Sequence, residues 1–102
     1  MELKIKSIHF DATEKLHDFI AKKLAKLEKS CDQIGTAEVT LKVVKPETAK
    51  NKETGIRISV PNDSLFAEKV CDTFEEGVDL CVEALLKQLN KYKEKQRAFT
   101  HL

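Results

Sequence analysis

Apolar and polar residues alternate along this chain with two different periods, and the switches between them divide it into six elements. Leu3 and Ile5 alternate with Lys4 and Lys6, the period of two expected of a half-buried strand. The parity slips at Ile8 and Phe10, which predicts a bulge or the end of that strand. The period then lengthens: Leu16, Phe19, Ile20, Leu24 and Leu27 form one apolar arc and predict a helix running to about Lys29. Asp11 and Thr13 both qualify as its N-cap, Asp11 having capping-box spacing to Glu14. Period two returns in Ala37, Val39, Leu41 and Val43, predicting a strand over 36–45 that Pro46 stops. Residues 47–53 (ETAKNKE) read as a polar, mobile loop. Ile56, Ile58 and Val60 mark a third strand, and Pro61-Asn62-Asp63 a tight turn. The fourth strand, 65–71, carries Phe66 and Val70 on the parity opposite to Leu65 and Ala67. Thr73-Phe74-Glu75-Glu76 is a capping box and opens a helix to about Gln96. Its apolar face holds Phe74, Val78, Cys81, Val82, Leu85, Leu89 and Tyr92.

A helix joining the first two strands implies a parallel pair with a right-handed crossover. Short connections make the last three strands an antiparallel meander. Both helices are amphipathic, so both cover one sheet face. The expected fold is α+β: a two-layer sandwich of β-α-β-β-β-α order, with a four-stranded sheet and two helices packed on one face. The 102 residues suffice for one core, so 1–98 is expected to be a single domain and 99–102 a tail.

Composition removes whole classes of function. No apolar run approaches the ~20 residues that cross a bilayer, and Met1–Lys6 resembles neither a signal nor a transit peptide. Cys31, Cys71 and Cys81 form no C-x-x-C pair and are odd in number, which points to a reducing, cytoplasmic setting. They read as core or rim residues. His9, His17 and His101 have no ligand spacing with cysteines or acids, so no metal or cofactor is expected. His17 and His101 read as surface, Phe10, Phe19 and Phe74 as core, and Phe66 and Phe99 as candidates for exposure. No catalytic carboxylate pair, glycine-rich phosphate loop or nucleophile motif occurs. Neither an enzyme nor a small-molecule substrate is implied.

The net charge of +1 hides an uneven distribution. Sixteen of the 18 positive residues are Lys and two are Arg, a bias toward diffuse phosphate contact over bidentate base reading. At ~100° per residue, Lys15, Lys22, Lys26 and Lys29 fall along one flank of the first helix. Lys23 projects from within its apolar arc and is expected to snorkel past the edge. On the second helix, Glu75, Glu76, Asp79 and Glu83 hold one flank of the N-terminal half. Lys87, Lys91 and Lys95, with Lys93 and Arg97, hold the C-terminal half. Each row alone is an ordinary solvated face that suits the helix dipole. If the two flanks adjoin, they make a strip of about eight positive groups fit for phosphates.

The stretch Thr13-Glu-Lys-Leu-His-Asp-Phe-Ile-Ala-Lys-Lys-Leu-Ala-Lys-Leu-Glu28 resembles the first helix of the ribosome hibernation promoting factors. That family includes ribosome-associated inhibitor A and the proteins once called sigma-54 modulators. Val39-Thr-Leu-Lys-Val43 is similar to its second strand. Val78-Asp79 and Ala84-Leu-Leu-Lys-Gln-Leu-Asn-Lys-Tyr-Lys-Glu-Lys95 are similar to its last helix. The resemblance implies a fold related in shape to double-stranded RNA-binding domains. It also implies binding to rRNA in the small-subunit channel between head and body, with translation blocked when growth slows. By position it assigns rRNA contact to Lys23, Lys26, Lys87, Lys91 and Lys95. With the rows above, the candidate RNA-binding set is Lys22, Lys23, Lys26, Lys29, Lys87, Lys91, Lys93 and Lys95.

The chain departs from the family at His17 and Ala84, where Arg and Lys are common, and at Thr73-Phe-Glu-Glu-Gly77, where Asp-x-Tyr-Ala-Ala is common. The chain is expected to be a short form, without the family's C-terminal dimerising domain, and a monomer off the ribosome. Two other readings compete: a general structured-RNA binder and a protein-interaction module. The first needs cations at the N-terminus of the last helix, where this chain has Asp72, Glu75 and Glu76.

Overall fold

The computed structural model describes residues 1–8, 10–44 and 50–100, excluding the side chains of 96–100. Six elements follow in order: β1 (Glu2–Ile8), α1 (Glu14–Ser30), β2 (Thr36–Val43), β3 (Lys52–Val60), β4 (Asp63–Cys71) and α2 (Phe74–Thr100). The sheet order is β1-β2-β3-β4, with β1 and β2 parallel and the rest antiparallel. This is the β-α-β-β-β-α sandwich expected from the pattern.

Local chemistry accounts for the boundaries. The parity slip ends β1 at Ile8, and Phe10 beyond it stacks on Phe74 with ring centroids 4.7 Å apart. Thr13, rather than Asp11, caps α1, its hydroxyl accepting from the Leu16 N–H at 3.2 Å. Thr73 caps α2 in the same way, accepting from the Glu76 N–H. Three expectations need correction. Lys52 and Glu53 belong to β3 and not to a loop, because they pair across the hairpin with Val43 and Lys42. β4 begins at Asp63, paired with Val60, which leaves a two-residue Pro61-Asn62 connection. Asn62 takes φ 66°, a position that asparagine tolerates at a turn. Helix α2 extends to Thr100, past the expected Gln96. The roles expected of Pro46, residues 47–49, His101 and the Arg97 and Phe99 side chains lie outside the described residues.

Between the layers, Ile20, Leu24 and Leu27 of α1 meet Val39, Leu41, Ile56 and Ile58 of the sheet, and Val78, Cys81, Leu85 and Leu89 of α2. Each of these is 1% exposed or less. All seven apolar positions predicted for α2 are buried. At Gly77 the helix comes so close to β3 that a Cβ would lie 2.5 Å from Thr54 Oγ1. On the open sheet face, Phe66 covers Gly55, and the Arg57 guanidinium lies 5.1 Å from its ring centre. An exposed aromatic on the outward parity of β4 is thereby explained.

Candidate functional site

Topology sets the charge geometry. Lys23 of α1 meets Asp79 of α2, and Ser30 meets Lys93, so the two helices run parallel. The acids of α2, Glu75 and Glu76, therefore lie at the end of the layer where α1 begins, and Lys93 lies at the end where α1 carries Lys29 and Ser30. The sequence alone shows the acid-to-lysine polarity of α2; the parallel packing sets its basic end beside Lys29 of α1.

On α1, Lys22, Lys26 and Lys29 are exposed and spaced to share one face. Lys23 is different. Its Nζ makes a 2.9 Å ion pair with Asp79 Oδ1 and stands 5.4 Å from the Phe19 ring centre. The expected snorkelling lysine is thus an inter-helix tie, and the acidic flank is not turned away from the basic groups. An ammonium already paired has less to offer a phosphate.

On α2, Lys87, Lys91 and Lys95 are exposed, and Lys93 is half-buried. Lys93 turns toward α1 and donates to Ser30 Oγ at 3.3 Å. Lys91 and Lys95 lie on the other side of the helix, toward β4. The two lysine flanks therefore do not adjoin as one strip. They border two depressions, one on each side of Tyr92. The first, about 320 Å³, is lined by Lys29, Ser30, Cys31, Asp32, Gln33, Tyr92 and Lys93. The second, about 190 Å³, is lined by Asp63, Leu65, Gln88, Lys91, Tyr92 and Lys95. Tyr92 is 7% exposed, and its hydroxyl donates to Pro61 O at 2.9 Å, fixing α2 against the β3–β4 turn. Gln88 Nε2 donates to Phe66 O at 2.9 Å and fastens the same helix to the edge strand.

Of the eight candidate lysines, the structure groups Lys29 with Lys93, and Lys91 with Lys95. Lys22, Lys26 and Lys87 stand exposed on the helices, and Lys23 is paired. Periodicity gave no sign that Asp63, Leu65, Gln88 and Tyr92 line the same depression as Lys91 and Lys95. Tyr92 reads as plain core, and Asp63 and Leu65 reach the site only through the β3–β4 hairpin.

The remaining chemistry is structural. Cys31, Cys71 and Cys81 are buried free thiols. Burial pushes the Cys81 thiol up to about 11 and also raises Cys71, keeping both away from the reactive thiolate. His17 is exposed. Among the described residues, no helix is long and apolar enough to cross a membrane.

Residues 3–97 match the model of the family described as Sigma 54 modulation protein / S30EA ribosomal protein. A ribosome hibernation promoting factor of Pseudomonas putida is 28% identical over 98 residues, covering 96% of this chain and 92% of the relative. Another, from Azotobacter vinelandii, is 30% identical over 97 residues, covering 94% and 86%. In fold, the chain is similar to a ribosomal subunit interface protein from Coxiella burnetii, with TM-score 0.83 and 23% identity over 92% of this chain and 99% of that one.

Proposed function

Because the chain belongs to the Sigma 54 modulation protein / S30EA ribosomal protein family, we propose that it is a ribosome hibernation factor. It binds small-subunit rRNA in the channel between head and body, and it inhibits translation by occupying the path of mRNA and tRNA. One observation carries the rRNA half of this reading: lysines from both helices border the Tyr92 depressions on a chain of net charge +1. Concentrating cations on one region of a nearly neutral protein favours an oriented approach to a phosphate-lined surface. Lys22, Lys26 and Lys87 extend that surface, while Lys23 contributes least because of Asp79. The opposite end, with Asp72, Glu75 and Glu76 exposed, would repel phosphates. That polarity disfavours the general double-stranded RNA reading, which needs cations there.

Inhibition by occupancy is stoichiometric. Titrated into a cell-free translation reaction as a single copy per ribosome, the protein should reach full inhibition near the ribosome concentration. It should also co-sediment with small subunits. Potent inhibition at a small fraction of the ribosome concentration would indicate turnover and overturn the occupancy mechanism.

A further inference from the structure

The depression between α2 and β4 is more than two lysines beside a groove. Its apolar lining comes from half-buried Leu65 and the largely buried Tyr92. Lys91 and Lys95, one turn apart, line it from α2. Asp63 lines it from the start of β4, with Oδ1 accepting from the Ser64 N–H at 2.8 Å. A carboxylate held in this way keeps acceptor capacity to spare. The site therefore offers an apolar seat, two cations and one acceptor within about 190 Å³. A phosphate alone would use the cations, ignore the seat and be repelled by Asp63. A double helix keeps its bases stacked and cannot fill a concavity of this size.

We infer that the α2–β4 depression binds one unstacked nucleotide of RNA whose base carries an exocyclic amino group. The base lies against Leu65, beside the exposed edge of Tyr92, and donates its amino hydrogen to Asp63, while Lys91 and Lys95 hold the neighbouring phosphate. Splayed bases in single-stranded segments are the usual targets of such seats, and a carboxylate selects the amino group of cytosine over the carbonyl of uracil. This inference rests on the rRNA-binding reading, since it names what one part of that surface recognises.

Cytidine 5′-monophosphate, uridine 5′-monophosphate and inorganic phosphate provide the test, each titrated into the full chain while backbone amide shifts are followed. Cytidine monophosphate should perturb Asp63, Leu65, Gln88 and Tyr92 and bind at least threefold more tightly than the uridine form. Phosphate should affect mainly Lys91 and Lys95. Asp63→Ala should abolish the cytidine preference while leaving the spectrum dispersed. Equal affinities for all three probes in the wild-type chain, or perturbations centred elsewhere, would overturn the nucleotide seat. Co-sedimentation with small subunits, run on the same protein, separates the two ideas. Subunit binding without nucleotide preference removes only the seat, and loss of subunit binding removes the hibernation reading.

Discussion

At Gly77 a single missing methyl group decides how closely α2 approaches the sheet. The opposing group is Thr54, fully buried, with an Oγ1 that has no hydrogen-bond partner among the described residues. In an exposed helix, Ala would be favoured over Gly by about 1 kcal/mol. Here the added Cβ would lie 2.5 Å from Thr54 Oγ1 and 3.1 Å from Thr54 Cβ, so the helix or the strand must move. Gly77→Ala is expected to cost roughly 1–3 kcal/mol, as overpacking does. In a Thr54→Ala background the same change should be nearly neutral. Urea melts of the four proteins in this cycle measure the coupling. A cost that persists unchanged without the threonine side chain would show that the clash is not the cause. The Thr73-Phe-Glu-Glu-Gly77 departure then has a packing reason: the strand carries a branched polar residue where the helix carries none.

Helix α2 is the element on which both the fold and the site depend. Its buried stripe closes the core over β3 and β4, and Gln88 and Tyr92 anchor it to Phe66 and Pro61. Leu85, at 0% exposure in the middle of that stripe, has apolar neighbours on every side. Leu85→Ala should therefore destabilise the protein by about 2–5 kcal/mol. The denaturation midpoint measures this, and a loss under ~1 kcal/mol would contradict its central place in the core. The same helix presents lysines to solvent on the turns that bury Leu85, Leu89 and Tyr92. The phase of its apolar stripe therefore also fixes which lysines face which depression.

Over the whole molecule, parallel helices set the basic end of α2 beside Lys29 of α1, so salt should act strongly on ribosome binding despite the net charge of +1. Replacing Lys87, Lys91 and Lys95 with Gln should release the protein from ribosomes at moderate salt and flatten the log–log salt dependence by up to about one unit per contact. Glu75→Gln with Glu83→Gln should leave binding equal or tighter. Asp79→Asn, added to that pair, frees Lys23 and should tighten binding further. Circular dichroism must stay at the wild-type spectrum for each variant. Equal losses from the lysine and acid sets would remove the special role of the lysines. Much of this molecule was legible in its sequence. Strand alternation, helix period and the Thr73 cap depend on neighbours a few residues apart, and so element order, sheet topology and the Leu24, Leu27, Leu85 and Leu89 core follow from local pattern. The lysines were legible as types and rows, but their partners were not. Whether Lys23 meets solvent or Asp79, whether Lys91 and Lys95 face α1 or β4, and whether Asp63 joins them all depend on how helices and hairpin cross. Those contacts link residues up to 63 positions apart, as Lys93 and Ser30 are. Periodicity fixes which face of a helix is buried; only tertiary packing fixes what stands beside its exposed flanks.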